Sequence, residues 1–311
     1  ADAEARTDDL TVDQVSSKIN RLPRRLVPLA ASRVTGFIDV QGSLLYWLVA
    51  AWEDDFTGSV IDYGTFPDQP VSYFQLRDAT RTFQTEFPNA GPEGQIFAGL
   101  EALTDELCSR EWRRDDGATM RLERLLVDQG YSTDTIYQFC RQSKHAGVVM
   151  PSKGLGIGAK SEPMREYKKK PGDRTGLNWR IPAVKGGRTV RTCLHDTNYW
   201  KSFIHARLCV AMGDRGCLSL FGEKPYQHRL FAEHICSEYR TRTMGRGREL
   251  DEWVERPGRP DNHWLDCLSG AAVAASIQGA VLPEAQADHP VKAKANRVSF
   301  AELQRQQQMK G

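Results

Sequence analysis

The stretch from Val34 to Thr65 limits the possible folds of this chain more than any other. Val34 to Gln41, Leu44 to Trp52 and Ser59 to Thr65 are three apolar runs of strand length. The joints between them, Gly42-Ser43 and Asp55 to Gly58, are turn chemistry and too short for a crossover. Three strands joined in this way must lie antiparallel, as a meander.

The pattern then changes period. Ile96, Leu100, Leu103 and Leu107 recur at helical spacing, and Arg121 to Val127 reads as a fourth strand ending in Leu125-Leu-Val127 and closed by Asp128-Gln-Gly130. Ser132 is placed to cap a helix carrying Ile136, Phe139 and Cys140, and Gly147 to Met150 reads as a fifth strand. Further helices are expected near Tyr199 to Met212, Tyr226 to Tyr239 and Asn262 to Gln278. Antiparallel strands followed by alternating helices and strands predict an α/β fold, a mixed sheet covered by helices on both faces.

Charge is distributed unevenly. The 311 residues hold 42 Lys and Arg against 40 Asp and Glu, a net of +2. Residues 151–191 alone hold eleven basic side chains and three acids, a net of +8, which leaves −6 for the remainder. The near-neutral sum therefore excludes only a uniformly basic protein. Lys153, Lys160, Lys168, Lys169, Lys170 and Arg174, with Tyr167 and Trp179 among them, suit a phosphate backbone. Residues 1–32 read as an arm with a basic run at Arg21 to Arg25, and residues 281–311 as a polar, flexible tail. Ala1 and an acidic leader without an apolar centre read as a processed chain or an excised fragment.

Several chemistries are excluded. No apolar run approaches the roughly 18 residues of a membrane span. Seven cysteines without a C-x-x-C pair fit neither a disulfide framework nor a structural zinc site. Gly154-Leu-Gly-Ile-Gly-Ala-Lys-Ser161 imitates a phosphate-binding loop, but Ala159 replaces the Gly before the lysine and Pro163 interrupts the helix that should follow.

Three acids remain. Asp39 lies in the apolar strand Phe37-Ile-Asp-Val40, and Asp128 ends another strand at the edge where open α/β sheets place their sites. Asp266 lies in a helix of small and apolar residues, on the same face as Asn262. Each alone also reads as a paired or turn-capping acid. Together they make an all-oxygen set suited to Mg²⁺ or Mn²⁺, and two such ions about 3.5–4 Å apart can drive phosphodiester hydrolysis.

In their order, Ile38-Asp-Val-Gln41, Val127-Asp-Gln-Gly130, Met150-Pro-Ser-Lys-Gly154, Tyr199-Trp-Lys201 and Asn262 to Asp266 resemble the C-terminal nuclease half of the large terminase subunit of tailed bacteriophages, the group typified by phage lambda's. The resemblance spans roughly residues 33–280. It implies an RNase H-like fold and a metal-dependent endonuclease that cuts concatemeric double-stranded DNA during genome packaging in the host bacterial cytoplasm. It makes Asp39, Asp128 and Asp266 the catalytic metal ligands, Lys153 and Lys201 phosphate contacts, and Asn262 a supporting residue. The family's Asn-Glu-x-x-Asp signature is broken here, because His263 stands at the Glu position. It further implies an ATPase domain or chain, a small subunit, and a portal protein docking on the tail, with residues 1–32 as the linker left from the ATPase. A Holliday-junction resolvase or transposase keeps the same fold with another substrate, and a non-catalytic DNA or portal adaptor keeps the acids as structural groups.

Overall fold

The computed structural model describes residues 9–184, 190–258 and 261–282. The meander forms as β1 (Arg33–Val40), β2 (Leu45–Trp52) and β3 (Gly58–Phe66), with Asp39 opposite Tyr46. β6 (Arg124–Asp128) pairs parallel with β1, and β7 (Val149–Leu155) parallel with β6. β10 (Cys193–Asp196) continues parallel, and β9 (Trp179–Ile181) and β8 (Arg174–Gly176) fold back antiparallel. With β11 (Leu218–Leu220) beside β3, the nine-stranded order is β11-β3-β2-β1-β6-β7-β10-β9-β8. Its centre, β3-β2-β1-β6-β7 with β2 reversed, is the RNase H-like arrangement.

Alternation along β1 assigns the two faces. Ile38 and Val40 join Leu125 and Val127 under α3 (Pro92–Ser109) and α4 (Thr133–Gln142), whose Leu100, Leu103, Ile136 and Phe139 complete that core. Each such side chain taken fully out of water contributes about 1.5–3 kcal/mol. Phe37 and Asp39 face the other way, towards α7 (His263–Ile277). A Cβ on Gly270 would lie only 1.9 Å from the Phe37 ring, so this position must be glycine for the helix to sit so close to the strand. Thr35 Oγ1 donates to the Ala271 carbonyl at 2.7 Å and anchors the same contact. α5 (Thr197–Cys209) and α6 (Arg229–Ile235) flank α7.

Four expectations change. From Asp9 onward the arm is woven into the domain: α1 (Val12–Ser16) forms, Ile19 bridges to Leu220, and Arg24 and Arg25 bind the buried Asp62 carboxylate at 2.5 and 2.7 Å. The basic run therefore has an internal acid to satisfy. The fifth strand runs on to Leu155, so the start of the basic segment is strand; the Gly-rich stretch is followed only by a single 3-10 turn at Met164–Glu166, as its rejection as a phosphate loop implies. Trp179 is buried, its indole N–H donating to Ser276 Oγ at 2.9 Å. Tyr167 donates to Asp173 at 2.8 Å and carries the Arg180 guanidinium 4.0 Å over its ring, so neither aromatic is free to stack on a base.

The fourth change concerns the helix expected to Tyr239, which stops at Ile235. A hairpin follows, β12 (Glu238–Gly245) and β13 (Arg248–Glu255), closed at Arg246-Gly247, where both residues have positive φ as a two-residue turn requires. Smaller elements are α2 (Phe83–Glu86) and the pair β4 (Trp112–Arg113) with β5 (Thr119–Met120). The contacts divide the chain after Ala280, and the expected tail lies outside the described residues from position 283 on.

Candidate active site

The register of the sheet brings the acids together. Asp39 is the penultimate residue of β1, Asp128 ends its parallel neighbour β6, and Asp266 lies in the first turn of α7, which covers that face. Asp39 is 6% exposed, and the other two are half-buried. Burial first, then the Asp39 charge, and less strongly that of Asp266, push the Asp128 carboxyl up to about 7, although the Gly130 N–H opposes this. Burial also raises Asp266, with Asp39 and Glu238 adding to the effect and Lys201 opposing it. The three acids thus stand in one another's field.

Asp39 takes two side-chain hydrogen bonds on a single oxygen. Asp39 Oδ2 accepts from His263 Nδ1 at 2.7 Å and from Gln41 Nε2 at 2.9 Å. Asp128 Oδ2 accepts from the Gly130 amide at 3.0 Å, and Asp266 Oδ1 binds Lys201 Nζ at 2.9 Å. Among the described residues no three His, Cys, Asp or Glu side chains already enclose a metal-sized centre. One oxygen of Asp39 is bound by His263 and Gln41, and one oxygen of Asp266 by Lys201. The donor set itself, three carboxylates drawn from two strands and a helix, fits a hard divalent cation, which takes oxygen ligands.

Lys201 departs from its expected role. Its side chain is only 10% exposed, and its ammonium is held at 2.5 Å by Glu238 as well as by Asp266. Burial alone would lower this lysine, but the two carboxylates outweigh it and hold the group above its ordinary range. A lysine enclosed in this way is no surface contact for a phosphate. Asn262 donates to the same Glu238 oxygen at 2.6 Å, so it supports the Lys201 pair. By contrast, Lys153, Lys160, Lys168, Lys169, Lys170 and Arg174 are exposed, while Lys185 and Arg188 lie outside the described residues.

Two residues of this cluster carried no assigned role in the sequence. Glu238 was hidden at the end of an expected helix, although the alternation Tyr239, Thr241, Thr243 and the Gly245-Arg-Gly247 turn signal a hairpin. His263 was visible only as a departure from a signature. Its ring stacks on Tyr46 at 4.3 Å between centroids.

Sheet order defines the class, an RNase H-like domain, and the candidate site is the acidic cluster near the carboxyl ends of β1 and β6. Residues 3–286 match the family described as terminase large subunit gpA, endonuclease domain, and the chain belongs to that family. No curated protein matches it. Among solved structures it is similar to a point mutant of the large terminase subunit from bacteriophage Sf6 with calcium, at 13% identity and a TM-score of 0.40, covering 78% of this chain and 88% of that one. A mutant nuclease domain of the same Sf6 subunit with manganese and beta-thujaplicinol matches at 12% identity and a TM-score of 0.41 over the same shares.

Proposed function

We propose that this endonuclease domain cuts concatemeric double-stranded phage DNA with Mg²⁺ or Mn²⁺, two ions held by Asp39, Asp128 and Asp266. The observation that carries the reading is the convergence of the three carboxylates from β1, β6 and α7, where burial first and repulsion by Asp39 second push Asp128 up to about 7. A bound divalent cation would relieve that repulsion, lower the pKa of a water nucleophile and take up charge on the phosphate.

The chain's own residues divide the remaining work. Asp39 and Asp128 come from neighbouring strands whose pairing fixes their spacing, and Asp266 approaches from the helix above. Lys201, itself anchored by Glu238, holds Asp266. The exposed lysines Lys153, Lys160 and Lys168 to Lys170, with Arg174, offer the duplex a basic approach. Packaging also calls for an ATPase, as a domain or separate chain, and a small subunit, with the portal docking on residues beyond 283. The setting is the host bacterial cytoplasm. No helix among the described residues is long and apolar enough to cross a membrane.

The test is nicking of supercoiled plasmid in Mn²⁺ by the wild type and by Asp39→Asn, Asp128→Asn and Asp266→Asn. Each variant should lose at least about a thousandfold in rate while keeping the wild-type circular dichroism spectrum. Cutting retained in all three would falsify the assignment.

A further inference from the structure

His263 occupies the one position where the chain breaks the family's acidic signature, and the structure gives it a definite partner. Its Nδ1 lies 2.7 Å from Asp39 Oδ2. An ionised carboxylate only accepts, so Nδ1 carries the proton and donates. Gln41 Nε2 donates to the same oxygen at 2.9 Å. Both donors therefore meet Oδ2 and neither takes Oδ1, in a carboxylate whose charge both Asp128 and Asp266 feel.

The imidazole is itself held in place. Tyr46, the register partner of Asp39, stacks on it with ring planes 24° apart, and Trp264 meets Tyr46 edge-on at 5.3 Å. His263 is 8% exposed and Asp39 6%, so little water competes for their bond. A donor fixed by packing on one side of a carboxylate sets the direction of its other oxygen.

We propose that His263 is a positioning residue: through Nδ1–H it fixes the rotamer of Asp39 so that Oδ1 faces the cation site, a task a glutamate at this position could not perform because it would repel Asp39. This deepens the reading of the site as a divalent-metal centre and rests on it. A loose Asp39 would have to be ordered by the ion itself, and the affinity would fall accordingly. Loss of such a supporting partner costs about 10–100-fold in metal affinity in other metal sites.

The experiment is calorimetric titration of Mn²⁺ into DNA-free protein, with thermal melts run alongside. His263→Phe keeps a ring against Tyr46 and removes the donor, whereas His263→Asn places an amide N–H near the Nδ1 position and removes the ring. Affinity should fall at least about tenfold in His263→Phe and stay within about threefold in His263→Asn. Wild-type affinity in His263→Phe overturns the inference, and so does a loss in His263→Asn as large as in His263→Phe, which would mean that the ring itself does the work. If His263→Phe does not fold, His263→Leu, which also removes the donor, gives the same reading. A drop of about threefold or more supports the inference and no change overturns it. Wild-type protein that binds no Mn²⁺ would overturn the metal reading and the inference together, an outcome distinct from the other two.

Discussion

Asp39, Asp128, Asp266 and Glu238 hold like charge inside the molecule, whereas Lys160, Lys168, Lys169 and Lys170 hold like charge outside it. Inside, each group is fixed by the fold: register sets Asp39 and Asp128, and a buried lysine and an asparagine set Glu238. Outside, water and salt screen every charge, and the groups act as a sum. The same total charge therefore has opposite consequences for substitution: one change in the cleft should alter one defined property strongly, and one change on the surface should alter binding slightly and in proportion.

The largest effect should come from Lys201. Replacing it by Met leaves Glu238, 4% exposed, and Asp266 without their cation. Breaking a buried pair in this way costs about 3–5 kcal/mol. Urea melts of Lys201→Met should show that loss, and Lys201→Met combined with Glu238→Gln should recover part of it. A loss below about 1 kcal/mol would mean that the cleft tolerates stray charge as a surface does.

One turn along the same helix, His205 sharpens the contrast. It is as buried as Lys201 but has no carboxylate, only the Ile235 carbonyl at 3.1 Å and the Trp253 ring at 4.2 Å. Burial therefore dominates and pushes the imidazole down to about 3. The unfolded chain takes up this proton near its ordinary pKa of about 6.5, so the stability held by neutral His205 is complete above that pH and is lost as pH falls towards 3. Between pH 7 and pH 5 the wild type should lose about 2 kcal/mol more than His205→Leu in parallel urea melts. Equal losses would show that His205 is not held neutral.

The two regions also differ in how far the sequence disclosed them. The meander, α3, α7 and the three acids were legible because period-2 and period-3.6 patterns are local, and because an acid in an apolar run stands out. Lys201 was not legible as a buried group, since its partner Glu238 lies 37 residues away on a hairpin that resembled the end of a helix. Nothing local marks Trp179 as an internal residue, because β9 is three residues long, too short to show a period, and its partner Ser276 is 97 positions distant. Charge counts located the basic segment but could not tell which side chains were internally engaged. Such pairings are tertiary facts.

The smallest effect per residue should come from the surface, where Lys168, Lys169 and Lys170 are all exposed. Each phosphate contact releases counterions on binding, so each lysine that touches the backbone contributes about 0.9 to the slope of log affinity against log salt on duplex DNA. Neutralising all three should flatten that slope by up to about 2.7, and Lys168→Ala alone by about 0.9 with only a few-fold weaker binding at moderate salt. Lys201→Met is the matched control, because a lysine enclosed by two carboxylates neutralises no phosphate, releases none of the DNA's condensed counterions and should leave the slope unchanged. If it flattens the slope as Lys168→Ala does, Lys201 must leave Glu238 and Asp266 to meet the DNA, and the division between fixed inner charge and summed outer charge fails at that residue. An unchanged slope in the triple variant would remove residues 168–170 from the DNA path and leave Lys153, Lys160 and Arg174 to form it.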